Sequence, residues 1–256
     1  MKKFITFLVL LFFIGITGCS TYRNTVTQFS TIDALLAGAY DGDMTCGQLL
    51  NYGNFGLGTF NKLDGEMIVL DGKVYQIKFS GKVCKPEKFL KTPFAAVCNF
   101  ECDKTISLTS SYNLVTLKQE LDKIIPDQNL FYAIKITGTF NYIKARSVPE
   151  QKKPYPPLAE IVNHQAIFEF KKIKGTVVGF RCPPFVKGIN VPHYHLHFIN
   201  DDKTKGGHIL DLDFFNCTAQ IDILNKFFMI LPEKEGALQN IDLSINRAEE
   251  LEKVEK

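Results

Sequence analysis

The sequence predicts an α+β protein in which an N-terminal mixed β-sheet half is joined to a C-terminal β-barrel-like half. Many short segments have strand composition, few have helical spacing, and a proline-rich stretch near residue 150 divides the chain. The predicted units are a signal peptide at 1–18, a tether at 19–31, a mixed-sheet domain at 32–149 and a barrel domain with a helical tail at 150–256.

The first residues have the pattern of a bacterial export signal. Lys2 and Lys3 precede an apolar run, 5–16, that is too short to span a bilayer as a helix. The run ends in Ile16-Thr17-Gly18-Cys19, which resembles a lipobox and implies cleavage before Cys19 and lipidation of its thiol. An exported, membrane-anchored lipoprotein of the periplasm or cell surface is therefore expected, held on the membrane only through its lipid. An ordinary signal peptide and a chance apolar start, with a cytoplasmic chain, stay open.

Charge and cysteine content exclude some classes of protein. The formal net charge is only +3 and the lysines are dispersed, so we expect no nucleic-acid partner. Six cysteines remain after Cys19, and in an exported chain an even number permits disulfides. Their pairing cannot be read from sequence, and free thiols remain equally open for Cys46, Cys84, Cys98, Cys102, Cys182 and Cys217.

The first half contains two helices and a hairpin. Ser30 or Thr31 can cap a short helix over 32–40, and a longer helix is predicted over 114–125. Asp71-Gly72 predicts the turn of a hairpin between strands at 66–70 and 73–77. Glu66 shares a face of the first strand with two aliphatic residues. It therefore lies either at a solvent-exposed end of the strand or in a functional site.

The second half is mostly strand. A long strand is predicted over 131–148, a hairpin over 165–180 with Gly175 in its turn, and more strand over 214–230. A tail helix is predicted within 242–256, with Ser244 as its cap.

Four of the five histidines fall between Val191 and Asp211. Residues i and i+2 of a strand lie on one face about 6.8 Å apart, so His193/His195 or His195/His197 can share a metal ion, whereas His193 and His197 are about 13.5 Å apart. The polar run 200–207 predicts a hairpin loop that sets His208 opposite His197. That register favours one face of three histidines, the ligand set of catalytic zinc. The alternative is a polar strand whose histidines face solvent.

Several motifs spread over nearly the whole mature chain resemble those of the acetolactate decarboxylase family. They are Asn54-Phe55-Gly56-Leu57-Gly58-Thr59-Phe60, Leu63-Asp64-Gly65-Glu66-Met67, Phe131-Tyr132-Ala133-Ile134-Lys135, Ala145-Arg146-Ser147-Val148-Pro149, Tyr194-His195-Leu196-His197-Phe198 and Gly206-Gly207-His208.

The resemblance implies zinc held by the side chains of His195, His197 and His208, with His193 standing where the family usually has glycine. It also implies a catalytic role for Glu66, Arg146 and a tail glutamate, for which Glu255 is preferred over Glu252, and substrate binding by Thr59 and Arg146.

The implied activity is a zinc-dependent carboxy-lyase reaction that converts (S)-2-acetolactate to (R)-acetoin and carbon dioxide in acetoin and butanediol biosynthesis, carried out by a homodimer. Two alternatives stay open from the residues alone. One is a cupin-like metal enzyme, although such barrels add a glutamate soon after the histidine pair, whereas this chain has only Asp201 there. The other is a non-enzymatic zinc-binding surface lipoprotein.

Overall fold

The computed structural model describes residues 22–233, 238–239 and 241–255, so the predicted signal peptide and Cys19 lie outside the described residues. Within those ranges no helix is long and apolar enough to cross a membrane. The strands are β1 (Thr25–Phe29), β2 (Met44–Thr45), β3 (Phe55–Thr59), β4 (Glu66–Leu70), β5 (Lys73–Ile77), β6 (Val83–Cys84), β7 (Lys91–Thr92), β8 (Ala95–Cys98), β9 (Lys104–Asn113), β10 (Phe131–Ser147), β11 (Ala166–Cys182), β12 (His193–Asn200), β13 (Gly206–Leu224) and β14 (Lys226–Ile230). The α-helices are α1 (Ile32–Leu36), α2 (Cys46–Leu49), α3 (Leu114–Ile124), α4 (Leu158–Ile161) and α5 (Ala248–Glu255), and short 3-10 turns cover Asn61–Leu63, Val162–His164 and Pro184–Val186.

One sheet of seven strands has the order β14-β1-β8-β3-β4-β5-β6. Strand β14 joins it in parallel beside β1, while the other neighbours are antiparallel. The predicted hairpin between β4 and β5 is confirmed, and both Asp71 and Gly72 have the positive φ that such a turn requires. The hairpin fixes the direction of Glu66 at the start of β4.

The second sheet has five strands in the order β10-β11-β12-β13-β9, and β10 pairs with β13 as well. The α+β class is therefore confirmed, although the second unit is a five-stranded sheet rather than a demonstrated barrel. Strands β9 and β10 precede residue 150 and β14 returns to the first sheet, so the predicted divider does not coincide with the boundary between the sheets.

The predicted hairpin over 165–180 is wrong. The stretch 165–180 is not a hairpin but part of one strand, β11, because Gly175 lies within the ladder opposite Gly138 on one side and Asn200 on the other. A Cβ at Gly175 would come 2.5 Å from the carbonyl oxygen of Ile199, so this glycine permits close approach of backbones rather than a turn.

The helices are shorter than predicted at two places. The first ends at Leu36 instead of continuing to residue 40. The tail helix begins at Ala248, where the side-chain oxygen of Asn246 accepts a hydrogen bond from the Ala248 backbone N–H, and Ser244 lies outside it. The predicted helix at 114–125 is confirmed to within one residue and has Asn113 as its N-cap.

The two sheets share a buried apolar layer, to which β4 contributes Ile68 and β11 contributes Val178 and Phe180. A second cluster fills the five-stranded sheet and buries α3 through Leu117 and Leu121. A third cluster joins α1, α4 and α5. Because α5 packs there, the tail is held close to the place where the two sheets meet.

Phe140 tests how far the inner cluster stabilises the fold. Its ring is fully buried and packs edge-on against two other rings. The centroid distance is 5.4 Å to Phe198 and 5.5 Å to Phe214. Phe140→Ala should lower the free energy of unfolding by about 4 kcal/mol, measured by urea denaturation. The matched control is Phe89→Ala, since Phe89 is 73% exposed and should change stability little. Equal effects of the two substitutions would contradict this assignment of the core.

Candidate active site

Three histidines converge at the end of the β12–β13 hairpin. His197 is paired with His208 across the two strands, as the loop prediction required, and His195 lies two residues before His197 on the same face. One ring nitrogen from each histidine lies within 4.8 Å of the others, and all three side chains are buried. His193, at the start of β12, is exposed and is not part of this group.

Strand pairing explains why the histidines are buried and oriented. His195 and His197 lie opposite Phe180 and Val178 of β11, two residues of the apolar layer between the sheets. The Nδ1 atom of His197 is 2.9 Å from the carbonyl oxygen of Met67 on β4. Since a carbonyl can only accept, Nδ1 carries the proton and Nε2 keeps its lone pair for another partner.

The donor set fits a metal ion. Among the described residues, Nδ1 of His195, Nε2 of His197 and Nδ1 of His208 are buried without a hydrogen-bond partner, which is costly for polar atoms unless a ligand satisfies them. Burial lowers the pKa of His195 to about 3 and the pKa values of His197 and His208 well below the usual range, and Arg146 adds to each shift. The three imidazoles are therefore neutral at neutral pH, which is the form that binds metals.

Glu66 and Arg146 form a buried ion pair beside the histidines. Arg146, on β10, lies opposite His208 on β13 and donates from Nη1 to Oε1 of Glu66 at 2.9 Å. The other carboxylate oxygen of Glu66 is 3.7 Å from Nε2 of His197. Glu66 is thus buried in the site and does not lie at a solvent-exposed strand end, which were the two alternatives drawn from the sequence. The Nε atom of Arg146 is buried and has no partner in the described part of the chain.

The end of α5 completes the arrangement. Arg146 Nη2 donates to the carbonyl oxygen of Val254 at 3.1 Å, and a carboxylate oxygen of Glu255 is 3.8 Å from Nε2 of His208. The side chain of Glu255 is 18% exposed, whereas Glu252 is exposed on the helix surface. Glu255 is therefore the tail glutamate that reaches the histidines.

The pKa values of the two glutamates are raised above the usual range of a carboxyl group. Burial raises the pKa of Glu66 to about 7 against the opposing effect of Arg146, and the nearby Glu255 raises it further. Burial likewise raises the pKa of Glu255 to about 7, while Arg146 and Lys118 oppose that shift. Carboxyl groups with such pKa values can exchange protons near neutral pH.

Thr59 lies directly opposite Glu66 on the β3–β4 ladder. It is buried, and its hydroxyl donates to the carbonyl oxygen of Gly65 at 2.7 Å. Together with Glu66, Arg146 and Glu255 it lines a cavity of about 40 Å³. A larger cavity, about 460 Å³, is lined by Asp33, Lys187 and Arg247 among others and contains none of these groups.

Sequence reasoning missed two contributors to the site. The carbonyl oxygen of Met67 fixes His197, and a backbone atom has no residue-type signal. The charge of Lys118, on α3, acts to lower the pKa values of Glu255 and His208, whereas the sequence shows this lysine only as a polar residue of a helix. The six described cysteines are all free thiols, so none forms a disulfide with another in the described ranges.

Comparisons with known proteins agree on one family. The family model described as alpha-acetolactate decarboxylase matches residues 26–245. An alpha-acetolactate decarboxylase of Methanosarcina mazei is 51% identical over 91% of this chain and 81% of its own, and one of Methylococcus capsulatus is 44% identical over 91% and 89%. The crystal structure of alpha-acetolactate decarboxylase from Bacillus subtilis matches with a TM-score of 0.88 and 37% identity, covering 90% of this chain and 99% of that one. Strand ladders and the three histidines lie within the matched segment, whereas α5 follows it.

Proposed function

Because the chain belongs to the alpha-acetolactate decarboxylase family, we propose that it converts (S)-2-acetolactate to (R)-acetoin and carbon dioxide with zinc as its metal. The enzyme is a carboxy-lyase. The observation that carries the finer proposal is the buried group of three neutral histidines next to the Glu66–Arg146 pair. Zinc storage would need the histidines alone, and it gives no reason to bury an arginine and two glutamates around them.

The proposed metal ligands are His195, His197 and His208. Three imidazoles leave an open position, which is the pattern of catalytic rather than structural zinc. A zinc ion held there would act as a Lewis acid and supply several kcal/mol of stabilisation to negative charge developing on the substrate oxygens. His193 has no part in the proposed site.

The reaction breaks the bond between the carboxylate carbon and the carbon that bears the hydroxyl. Carbon dioxide leaves, and the electron pair passes to the adjacent ketone, giving an enediolate. One proton must then be added to carbon to give acetoin. The chain therefore has to hold the carboxylate, shield the enediolate from bulk water and deliver one proton to one face.

Arg146 is suited to the first task. Nη1 donates one N–H to Glu66 and Nη2 donates one to the Val254 carbonyl, while Nε–H is buried without a partner among the described residues, so we propose Nε–H as a donor to the substrate. The two existing hydrogen bonds hold the guanidinium in a fixed orientation, which keeps its remaining N–H groups in place for the substrate. Thr59 is proposed to border the substrate from the opposite strand.

Glu66 and Glu255 are suited to proton delivery. Each has a pKa raised to about 7 by burial, so one carboxyl can stay protonated near neutral pH although Arg146 favours the ionised form. The protonated donor is present below that pKa and is lost as pH rises through it. Two carboxyl groups in one site titrate as a coupled pair, so one proton can be shared between them.

Assembly and location follow the family and the N-terminal segment. We propose a homodimer whose protomers each contain a complete site. The lipobox-like residues before Cys19 support an exported lipoprotein that is anchored to a membrane through lipid on that thiol. No nucleic acid is proposed as a partner, because the charge of the chain is small and dispersed.

The activity is tested on the purified chain lacking residues 1–19. The native protein should release acetoin from racemic acetolactate and contain stoichiometric zinc by elemental analysis. Chelation should lower kcat/KM by at least about 1,000-fold, because several kcal/mol of charge stabilisation are removed. Added Zn²⁺ should restore it. Full turnover by metal-free protein would contradict the metal-dependent function, and zinc binding without acetoin release would point to storage.

A further inference from the structure

A cluster of three aromatic rings lies where the described chain begins. Between ring centroids, Tyr22 is 5.0 Å from Tyr52 and 5.8 Å from Phe228, and Tyr52 is 6.2 Å from Phe228. Phe228 lies on β14, the outer strand of the seven-stranded sheet, and is 42% exposed. The neighbouring Met229 and Leu231 are exposed as well. This aromatic cluster therefore belongs to an apolar surface at a sheet edge, of the kind that binds a partner.

The aromatic cluster begins only three residues after Cys19. A fully extended chain spans at most about 3.6 Å per residue, so the Cα atoms of Cys19 and Tyr22 are at most about 11 Å apart. Lipid on the Cys19 thiol, as proposed above, holds this end of the chain at the bilayer surface. The polar headgroup layer on each side of the hydrocarbon is about 5–8 Å thick. The cluster therefore lies in that layer or directly above it.

The side chains of this edge suit the headgroup layer. Tyrosine rings are amphipathic and are enriched at membrane–water interfaces. The exposed Lys226 lies two residues before Phe228, so its side chain points to the same face of β14, where it can meet lipid phosphates. The acidic Glu101 of this edge is paired with Arg23 at 2.9 Å. An acyl chain alone gives reversible membrane binding, so a second contact of this kind makes the attachment stable.

We propose that Tyr22, Tyr52 and Phe228 form a membrane-docking surface whose rings insert among the headgroups of an anionic bilayer, with Lys226 against the lipid phosphates. This docking rests on the proposed lipid anchor at Cys19 and is independent of the proposed decarboxylation. The occupant is lipid, because a second protomer, on the order of 40 Å across, cannot lie between the bilayer and a cluster held so close to it.

The chain contains no tryptophan, so a single introduced tryptophan is a specific reporter. Full-length lipidated protein carrying Phe228→Trp or Tyr52→Trp is placed in vesicles of phosphatidylethanolamine and phosphatidylglycerol, with and without bromine on the upper acyl carbons. Both reporters should lose emission intensity to the brominated lipid. Phe215→Trp is the control and should keep its intensity, because Phe215 is 61% exposed on β13 of the other sheet. Two reporter positions keep the test decisive if one variant does not fold.

Phe228→Glu separates docking from the proximity that the anchor alone imposes. A carboxylate at this position is repelled by anionic lipid and is costly to bury, so it should abolish the quenching of the Tyr52→Trp reporter. Phe215→Glu, combined with the same reporter, should leave the quenching unchanged. Quenching that survives Phe228→Glu would show that the anchor alone brings this edge near the bilayer, and it would overturn the proposal.

Mass spectrometry of the same sample shows whether Cys19 carries lipid. Unquenched reporters in a lipidated protein would overturn the docking surface and leave the anchor standing. Emission at short wavelength without quenching would mean that a second copy of the chain covers the rings, which also overturns the proposal. A protein without lipid on Cys19 would remove the anchor and the docking surface together, whereas acetoin release by that sample tests the proposed activity separately.

Discussion

His208→Ala is expected to abolish zinc binding and to lower kcat/KM by at least about 1,000-fold. His208 lies across the strand pair from His197 and beside Arg146 on β10. Alanine leaves two histidines, which cannot hold zinc in the three-ligand geometry that an open catalytic position requires. Zinc content by elemental analysis and acetoin release are the two measurements.

His193→Asn is the control for this substitution. His193 is exposed and has a φ of 64°, a left-handed conformation that asparagine tolerates better than alanine does. Zinc content and turnover should both match the parent protein. Retention of full zinc by His208→Ala, together with loss of zinc from His193→Asn, would show that the ligand set is shifted along β12.

His208→Ala should lose little stability in the metal-free state. Apolar burial and strand pairing hold His208 in place whether or not metal is present, and Nδ1 of this ring lacks a partner in the described structure. Removing that unsatisfied atom offsets part of the cavity cost, so metal-free His208→Ala should unfold close to metal-free parent protein. Zinc should stabilise only the parent, because a ligand stabilises a fold in proportion to its affinity for the native state.

The residues of the site could be predicted from the sequence more accurately than the pairing of strands in the two sheets. A polar loop between His197 and His208 sets the pairing register, because strand geometry converts loop length directly into opposite residues. Glycine misled the prediction for β11, since Gly175 permits close backbone approach within a ladder as readily as it permits a turn. Pairing of β14 with β1, 201 residues apart at Lys226 and Thr25, has no local signal at all.

Contacts made by backbone atoms, or between segments far apart in the sequence, escaped prediction for one physical reason. The carbonyl oxygen of Met67 orients His197 only because the two sheets pack face to face. The charge of Lys118, on α3, acts on Glu255 at the end of α5, a segment far away in the sequence. Residue type and spacing describe a face of one element, whereas these contacts depend on how two elements dock.

Glu66→Gln is expected to retain zinc, lower kcat about 100- to 10,000-fold and reduce the enantiomeric excess of acetoin, as removal of a general acid would. Glutamine has nearly the shape of the carboxyl group but cannot give up a proton. It can still accept a hydrogen bond from Arg146 Nη1, which now donates to Oε1 of Glu66 at 2.9 Å. Zinc content and chiral analysis of the acetoin are measured with turnover.

Glu255→Gln is the companion variant, because the two carboxyl groups share the site and both have a pKa of about 7. If Glu66 is the donor, Glu255→Gln should slow turnover while the released acetoin keeps one configuration, since protonation still comes from the β4 side. Unchanged rate and configuration in Glu66→Gln would remove Glu66 from the mechanism and leave Glu255 as the donor.

A loss of folded protein would lower the measured activity of Glu66→Gln just as a loss of catalysis would, so stability must be measured separately. The Glu66–Arg146 pair is buried, with side chains only 8% and 5% exposed, and breaking a buried pair costs about 3–5 kcal/mol. That cost lowers the midpoint of unfolding but not the rate of molecules that remain folded. Turnover should therefore be compared well below the unfolding midpoint, where a purely structural role of Glu66 predicts full kcat and a single enantiomer. A slow reaction that also loses its stereochemistry under those conditions is the result expected when the proton donor is missing.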